Sequence, residues 1–257
     1  MKISKIILYD EPTVPEIQIE KIKKFITETF QIETELRKNF FESTEDRILE
    51  KIATIRVFDL KKQFKKHNPT QEECQIEKGN EDMSEKDIMV LYDGFELQNI
   101  VSENISEEED TLHIVFTNKL TVTFDKDDSR YHARAIINSN PTIISTTGII
   151  EAPAKPKQYY LDLLTNFSED KINEIKEKYK GEFLEYHDSR LNEIVEGYIL
   201  QAIIYYKTGE AFCEDKECRL FNAHWQKDLF YSQIESKKIC DRHSETIAKF
   251  KNEFKKS

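Results

Sequence analysis

The apolar positions change their period about halfway along the chain. Before residue 145 they alternate or bunch into short runs, and after residue 155 they recur every three or four residues. Residues 3–9 form an isoleucine-rich run stopped by Asp10, Glu11 and Pro12, which predicts a buried strand. Ile19, Ile22, Phe25, Ile26 and Phe30 share one face of a helix. Ile32, Thr34 and Leu36 alternate as in a strand. The opening is therefore β-α-β, the unit that builds parallel sheets with helices on their faces.

Ser43 and Asp46 predict the start of a short helix through Ile48, Leu49 and Ile52. Residues 54–60 predict another strand. Residues 65–86 turn polar and charged, as a surface loop or excursion would. Residues 88–92 predict a short strand, with a turn at Asp93 and Gly94. Leu112, Ile114 and Phe116, then Leu120, Val122 and Phe124, alternate on either side of Asn118 and Lys119, which predicts a hairpin. Residues 131–137 and 142–145 predict two more strands. Residues 145–156, STTGIIEAPAKP, predict a rigid connection leaving the sheet; the alternative puts Glu151 at a cleft.

Beyond this point the pattern is helical. Tyr159, Tyr160, Leu163 and Leu164 mark one helix. Ser168 caps a second, with Gly181 as its stop. A long third helix starts at Asp188 or Ser189 and buries Leu191, Ile194, Val195, Tyr198, Ile199, Ala202, Ile203 and Tyr206. Gly209 ends it. Trp225, Leu229, Phe230 and Ile234 mark another helix, and Ile247, Phe250 and Phe254 a last one. Strands first and helices last predict an α/β fold, with α+β as the alternative, in one domain over residues 1–257. Residues 1–150 are mainly a mixed sheet with flanking helices, and residues 151–257 are mainly helical.

The helical part carries the clearest chemistry. Cys213, Cys218, Cys240 and His243 are spaced C-x4-C, twenty-one residues, then C-x2-H. Two close ligand pairs separated by a folding segment build a tetrahedral zinc site. Three thiolates and one imidazole fill the coordination shell, so the expectation is one structural Zn²⁺. The fourth cysteine, Cys74, lies far from these and has no assigned role.

Charge narrows the partners. The chain carries 49 Asp and Glu against 38 Lys and Arg, a net charge of −11, which excludes general nucleic-acid binding. No apolar run approaches the ~20 residues of a membrane span. The start lacks the features of a signal peptide, and the cytoplasm is the expected location. His113, His132, His187 and His224 show no ligand spacing among themselves, and Glu193 and Glu196 read as a solvated helix face. With six glycines in the chain, phosphate-binding glycine loops are absent.

The helix, the glycine and the cysteines together resemble the archaemetzincins, zinc metallopeptidases with the motif H-E-x-x-H-x-x-G-x-x-H-C-x4-C and a later C-x-x-C. With the motif glycine on Gly209, its two cysteines fall on Cys213 and Cys218 and the later pair on Cys240 and His243. The whole chain looks most like an uncharacterised archaeal family described as metallopeptidase-like. In this register the first zinc histidine is Ala202, the catalytic glutamate is Ile203, the second histidine is Tyr206 and the third is Phe212. Such residues neither hold a metal nor activate its water. The resemblance therefore implies the fold and the structural zinc, with no catalytic residue retained. The expected function is a pseudopeptidase that binds a peptide or protein by strand addition. The alternatives are a metal-dependent peptidase or hydrolase with an unorthodox site, and a structural or regulatory subunit.

Overall fold

The computed structural model describes residues 2–42, 45–78, 89–106, 108–166 and 168–254, with side chains as far as residue 251. Strand β1 (Lys5–Tyr9), helix α1 (Ile19–Phe30) and strand β2 (Glu33–Arg37) form the expected β-α-β unit, with β1 and β2 parallel. Helix α2 (Asp46–Thr54) follows; Ser43, expected at its start, lies outside the described residues. Then come α3 (Gln71–Lys78), β3 (Leu91–Asp93), α4 (Gly94–Ser102), β4 (Thr111–Thr117), β5 (Leu120–Asp125), β6 (Arg130–Arg134), β7 (Ile136–Ile137) and β8 (Thr142–Ser145). The helical part comprises α5 (Thr146–Glu151), α6 (Lys157–Thr165), α7 (Glu169–Lys178), α8 (Leu191–Thr208), α9 (Gln226–Phe230) and α10 (Asp241–Phe254). A π-helical turn, Tyr231–Ser236, continues α9.

Two sheets result. The larger runs β2-β1-β4-β8-β7, parallel except for β7; the smaller runs β3-β5-β6. The fold is mixed α/β. All seven residues of β4 are buried, as a strand flanked on both sides requires. One face of the large sheet packs on α1, α8 and α10 through residues such as Ile6, Phe30, Ile114, Ile199 and Phe250. The other face packs on α2 and α4 through Ile7, Ile52, Leu97 and Val115.

Several expectations need correction. The predicted hairpin does not form: β4 pairs with β1 and β8, whereas β5 leaves for the other sheet and pairs with β3 and β6. Both flanks of β4 are already taken, so its neighbour in sequence has no place beside it. Residues 54–60 hold only an isolated bridge, Arg56 to Tyr92, rather than a strand. Asp93 and Gly94 begin a helix instead of a turn, because the Asp93 carboxylate accepts the N–H groups of Phe95 and Glu96. The segment from residue 145 is a short helix, α5. The Ser145 hydroxyl caps it by accepting Gly148 N–H at 2.8 Å.

Residues 65–86 contain α3, which is anchored by a buried cluster. Glu77 accepts from Arg56, from the Tyr92 hydroxyl and from Lys119 Nζ, and its side chain is inaccessible to solvent.

The long helix α8 is buried on nearly every side, which fits its apolar length. It ends at Gly209 in the left-handed region (φ 81°), as the sequence predicts. Gly197 permits its closest contact: a Cβ there would lie 1.9 Å from Gln233 Oε1. Gln233 in turn accepts from Arg219 Nε at 3.2 Å, and Arg219 also meets Glu196 at 3.2 Å. Glu193 pairs with Lys237. The two glutamates thus tie α8 to the cysteine segment rather than forming a merely solvated face.

Candidate metal centre and cleft

Two segments bring the four predicted ligands together. Cys213 and Cys218 lie on a loop after α8, closed by Cys213 N–H to Leu220 O (2.8 Å) and Cys218 N–H to Asp215 O (3.0 Å). Arg219 N–H donates to Lys238 O (2.8 Å), which brings up the chain just before Cys240. Cys240 then sits just before α10 and His243 on its first turn, where an i, i+3 spacing aims both inward.

The ligand atoms of Cys213, Cys218, Cys240 and His243 all lie within 4.8 Å of one another. Cys213 Sγ and Cys240 Sγ are 3.8 Å apart, and Cys218 Sγ and His243 Nδ1 are 3.6 Å apart. A tetrahedral ion with Zn–S bonds of about 2.3 Å and a Zn–N bond of about 2.0 Å requires separations of about 3.8 Å and about 3.6 Å. The sulfurs are far beyond disulfide distance, and all three cysteines are free thiols.

The buried thiols of this cluster would ionise only against a bound cation. Burial pushes the Cys218 thiol up to about 12 and raises that of Cys213. Only a nearby positive charge would make these groups thiolates at neutral pH. Burial, and then the Arg242 guanidinium, lower the His243 pKa, which favours the neutral ring that a metal needs. Arg242 lies 3.2 Å from the other ring nitrogen, and the Glu210 carboxylate is 3.5 Å from Arg242. The donor set fits a closed zinc site.

Ala202, Ile203 and Tyr206 lie on α8, and Phe212 lies on the loop that follows it. Ala202 and Ile203 are inaccessible within the core, and Tyr206 packs against that core at the end of the helix near Asn140. Phe212 is exposed and lines an open cleft of ≈490 Å³. The helix wall of that cleft comes from Tyr198 and Gln201. These two were not picked out from the sequence as site residues. They share a face of α8 but carry no ligand-type spacing, so no motif points to them.

The opposite wall is a strip of consecutive residues, 132–138, running through β6 and β7. Strand β6 has one neighbour, β5, and is an edge. Tyr131 N–H turns away from β5 and donates to Leu60 O at 2.7 Å. Strand alternation turns the Ala133 N–H and C=O to the same free edge. Phe95, Phe212 and Phe221 supply apolar lining, and the first two are largely exposed. Two buried acceptors in the lining, Gln201 Oε1 and Asn138 Oδ1, have no hydrogen-bond partner among the described residues.

Of the five remaining histidines, His132 and His224 line the cleft, and His67 lies 3.4 Å from Glu73. His113 is buried beside the Tyr9 hydroxyl, and His187 pairs with Glu16. Glu151 lies against Lys155 at 3.3 Å and outside the cleft lining, although Ala152 and Pro153 from the same segment contribute to it. That segment is fixed by Ala154 N–H to His224 O (2.8 Å) and Gln226 N–H to Ala154 O (2.9 Å). A second ligand-type group, Asp125, Asp128 and His132, stands on the β5–β6 hairpin. Arg130 Nε already lies 2.9 Å from Asp128 there. No helix among the described residues is long and apolar enough to cross a membrane.

Residues 2–250 match the Probable metallopeptidase family (DUF6775), and the chain belongs to that family. Among solved structures, it is similar to a zinc-dependent peptidase from Methanocorpusculum labreanum, with a TM-score of 0.48 at 8% identity. The match covers 95% of this chain and 99% of that one. The search of curated proteins found no match.

Proposed function

We propose that this chain is a zinc-stabilised member of its family that binds an extended peptide and does not cleave it. In this reading Cys213, Cys218, Cys240 and His243 hold one structural ion. The protein is a single archaemetzincin-like domain, and its thiolates persist in a reducing cytoplasm. The observation that carries peptide binding is the free backbone of Ala133 beside two buried acceptors, unpartnered among the described residues, in a cleft of mixed polar and aromatic lining. A strand entering there would gain main-chain hydrogen bonds along β6 and seat its side chains against Phe95 and Phe212. Loss of hydrolysis follows from Ala202, Ile203, Tyr206 and Phe212, which provide no metal-binding pair and no general base.

A second reading is a hydrolase with an unorthodox metal site. The grouping of Asp125, Asp128 and His132 favours it, because His132 also lines the cleft. One assay separates the two. Fluorescein-labelled extended peptides with apolar side chains, incubated with the zinc-loaded protein, should raise polarisation and remain intact by mass spectrometry. Cleavage that stops on chelation and in His132→Ala would contradict the first reading and support the second.

A further inference from the structure

We propose that the cleft selects peptides bearing a carboxylate, and that the Arg134 guanidinium receives it. This rests on reading the cleft as a peptide site. Arg134 stands on β6 and lines the cleft. Its Nε donates to Thr123 Oγ1 at 2.7 Å, which fixes the plane of the group. Among the described residues it has no carboxylate partner. Every other arginine of the chain has one within 3.5 Å.

The contrast carries weight because acids are in excess here, 49 against 38 basic residues. None of the residues lining the cleft is Asp or Glu, and its ionisable groups besides Arg134 are His132, His224 and the Tyr198 phenol. Asp128, the acid at His132, is itself paired with Arg130 at 2.9 Å. A half-buried guanidinium without a counter-charge is costly to keep, and it matches a carboxylate with two parallel N–H···O bonds.

The remaining polar groups define the rest of the ligand. Gln201 Oε1 and Asn138 Oδ1 are acceptors and need N–H donors, which a carboxylate lacks. A peptide supplies both: its backbone donates, and its acidic side chain or C-terminal carboxylate meets Arg134. A ligand that was only an anion would leave the two acceptors unsatisfied.

Four labelled hexapeptides of one apolar sequence test this against the zinc-loaded protein. One ends in a free carboxylate and one in an amide. Two further amides carry a central Glu or a central Lys. The wild type should bind at least one carboxylate peptide about tenfold tighter than the neutral amide. Which of the two gains identifies a C-terminal or a side-chain carboxylate. Arg134→Gln should erase that preference while still binding the neutral amide, and Arg134→Lys should restore part of it.

Equal binding of acidic and neutral peptides, or tighter binding of the Lys peptide, overturns the role of Arg134 and leaves the peptide site standing. Binding of none of the four overturns the peptide site itself. The wild-type comparison decides the matter even where a variant fails to fold.

Discussion

Cys218→Ser is expected to release the metal and unfold the helices that close the chain. Cys218 is inaccessible to solvent, and its sulfur also accepts the Cys240 N–H at 3.5 Å. Its neighbour Arg219 joins α8 to the π-helical turn through Glu196 and Gln233. Cys213 and Cys218 belong to the same core cluster as Phe30 and Phe250, whose rings meet edge to face at 5.5 Å. Metal binding and packing are therefore one equilibrium, and losing a ligand weakens both. The cost should reach at least about 4 kcal/mol, a fall on the order of 10 °C in Tm. Thermal melts followed by circular dichroism, with a zinc count on each sample, check this. Cys74→Ser, a half-buried free thiol on α3, should leave both unchanged. An unaltered melt for Cys218→Ser would remove the metal from the account of the fold.

Glu77→Ala should be the next most damaging change. The Glu77 carboxylate is sealed against Arg56 (2.7 Å), the Tyr92 hydroxyl (2.9 Å) and Lys119 Nζ (2.5 Å). The Arg56 and Lys119 side chains are themselves only 5% and 10% exposed. Removing the acid leaves two cations in a poorly solvated pocket that cannot close over them. Breaking such a cluster costs about 3–5 kcal/mol. A shift of the urea midpoint, with faster amide exchange in α3, would register it. Replacement by Gln keeps an acceptor for Tyr92 but not the charge, and should fall between. A variant as stable as the wild type would mean that α3 is held by something else.

The sequence made some of these features legible and hid others, for physical reasons. Helices α1 and α8 were plain because one-sided or continuous apolar runs have a single solution at that length. The parallel start was plain because a helix between two strands leaves little else to build. The metal cluster was plain because ligand spacing is a local property, and the atoms of Cys213, Cys218, Cys240 and His243 do converge.

Pairing partners were not legible. Alternation in residues 112–124 says strand, and only the two occupied flanks of β4 say that the second strand must leave. Helices α4 and α5 were missed because each is started by one capping side chain, Asp93 or Ser145, within a sequence that also reads as a turn. The cleft was invisible for a related reason. Gln201, Asn138 and Arg134 lie on α8, after β7 and on β6, and what marks them is a missing partner, which no spacing records.

The measurement closest to the central claim is zinc K-edge X-ray absorption on the purified protein. The account predicts one zinc per chain with three sulfur neighbours at about 2.3 Å and one nitrogen at about 2.0 Å. A shell of nitrogen and oxygen alone, or protein that is folded and free of zinc, would contradict it.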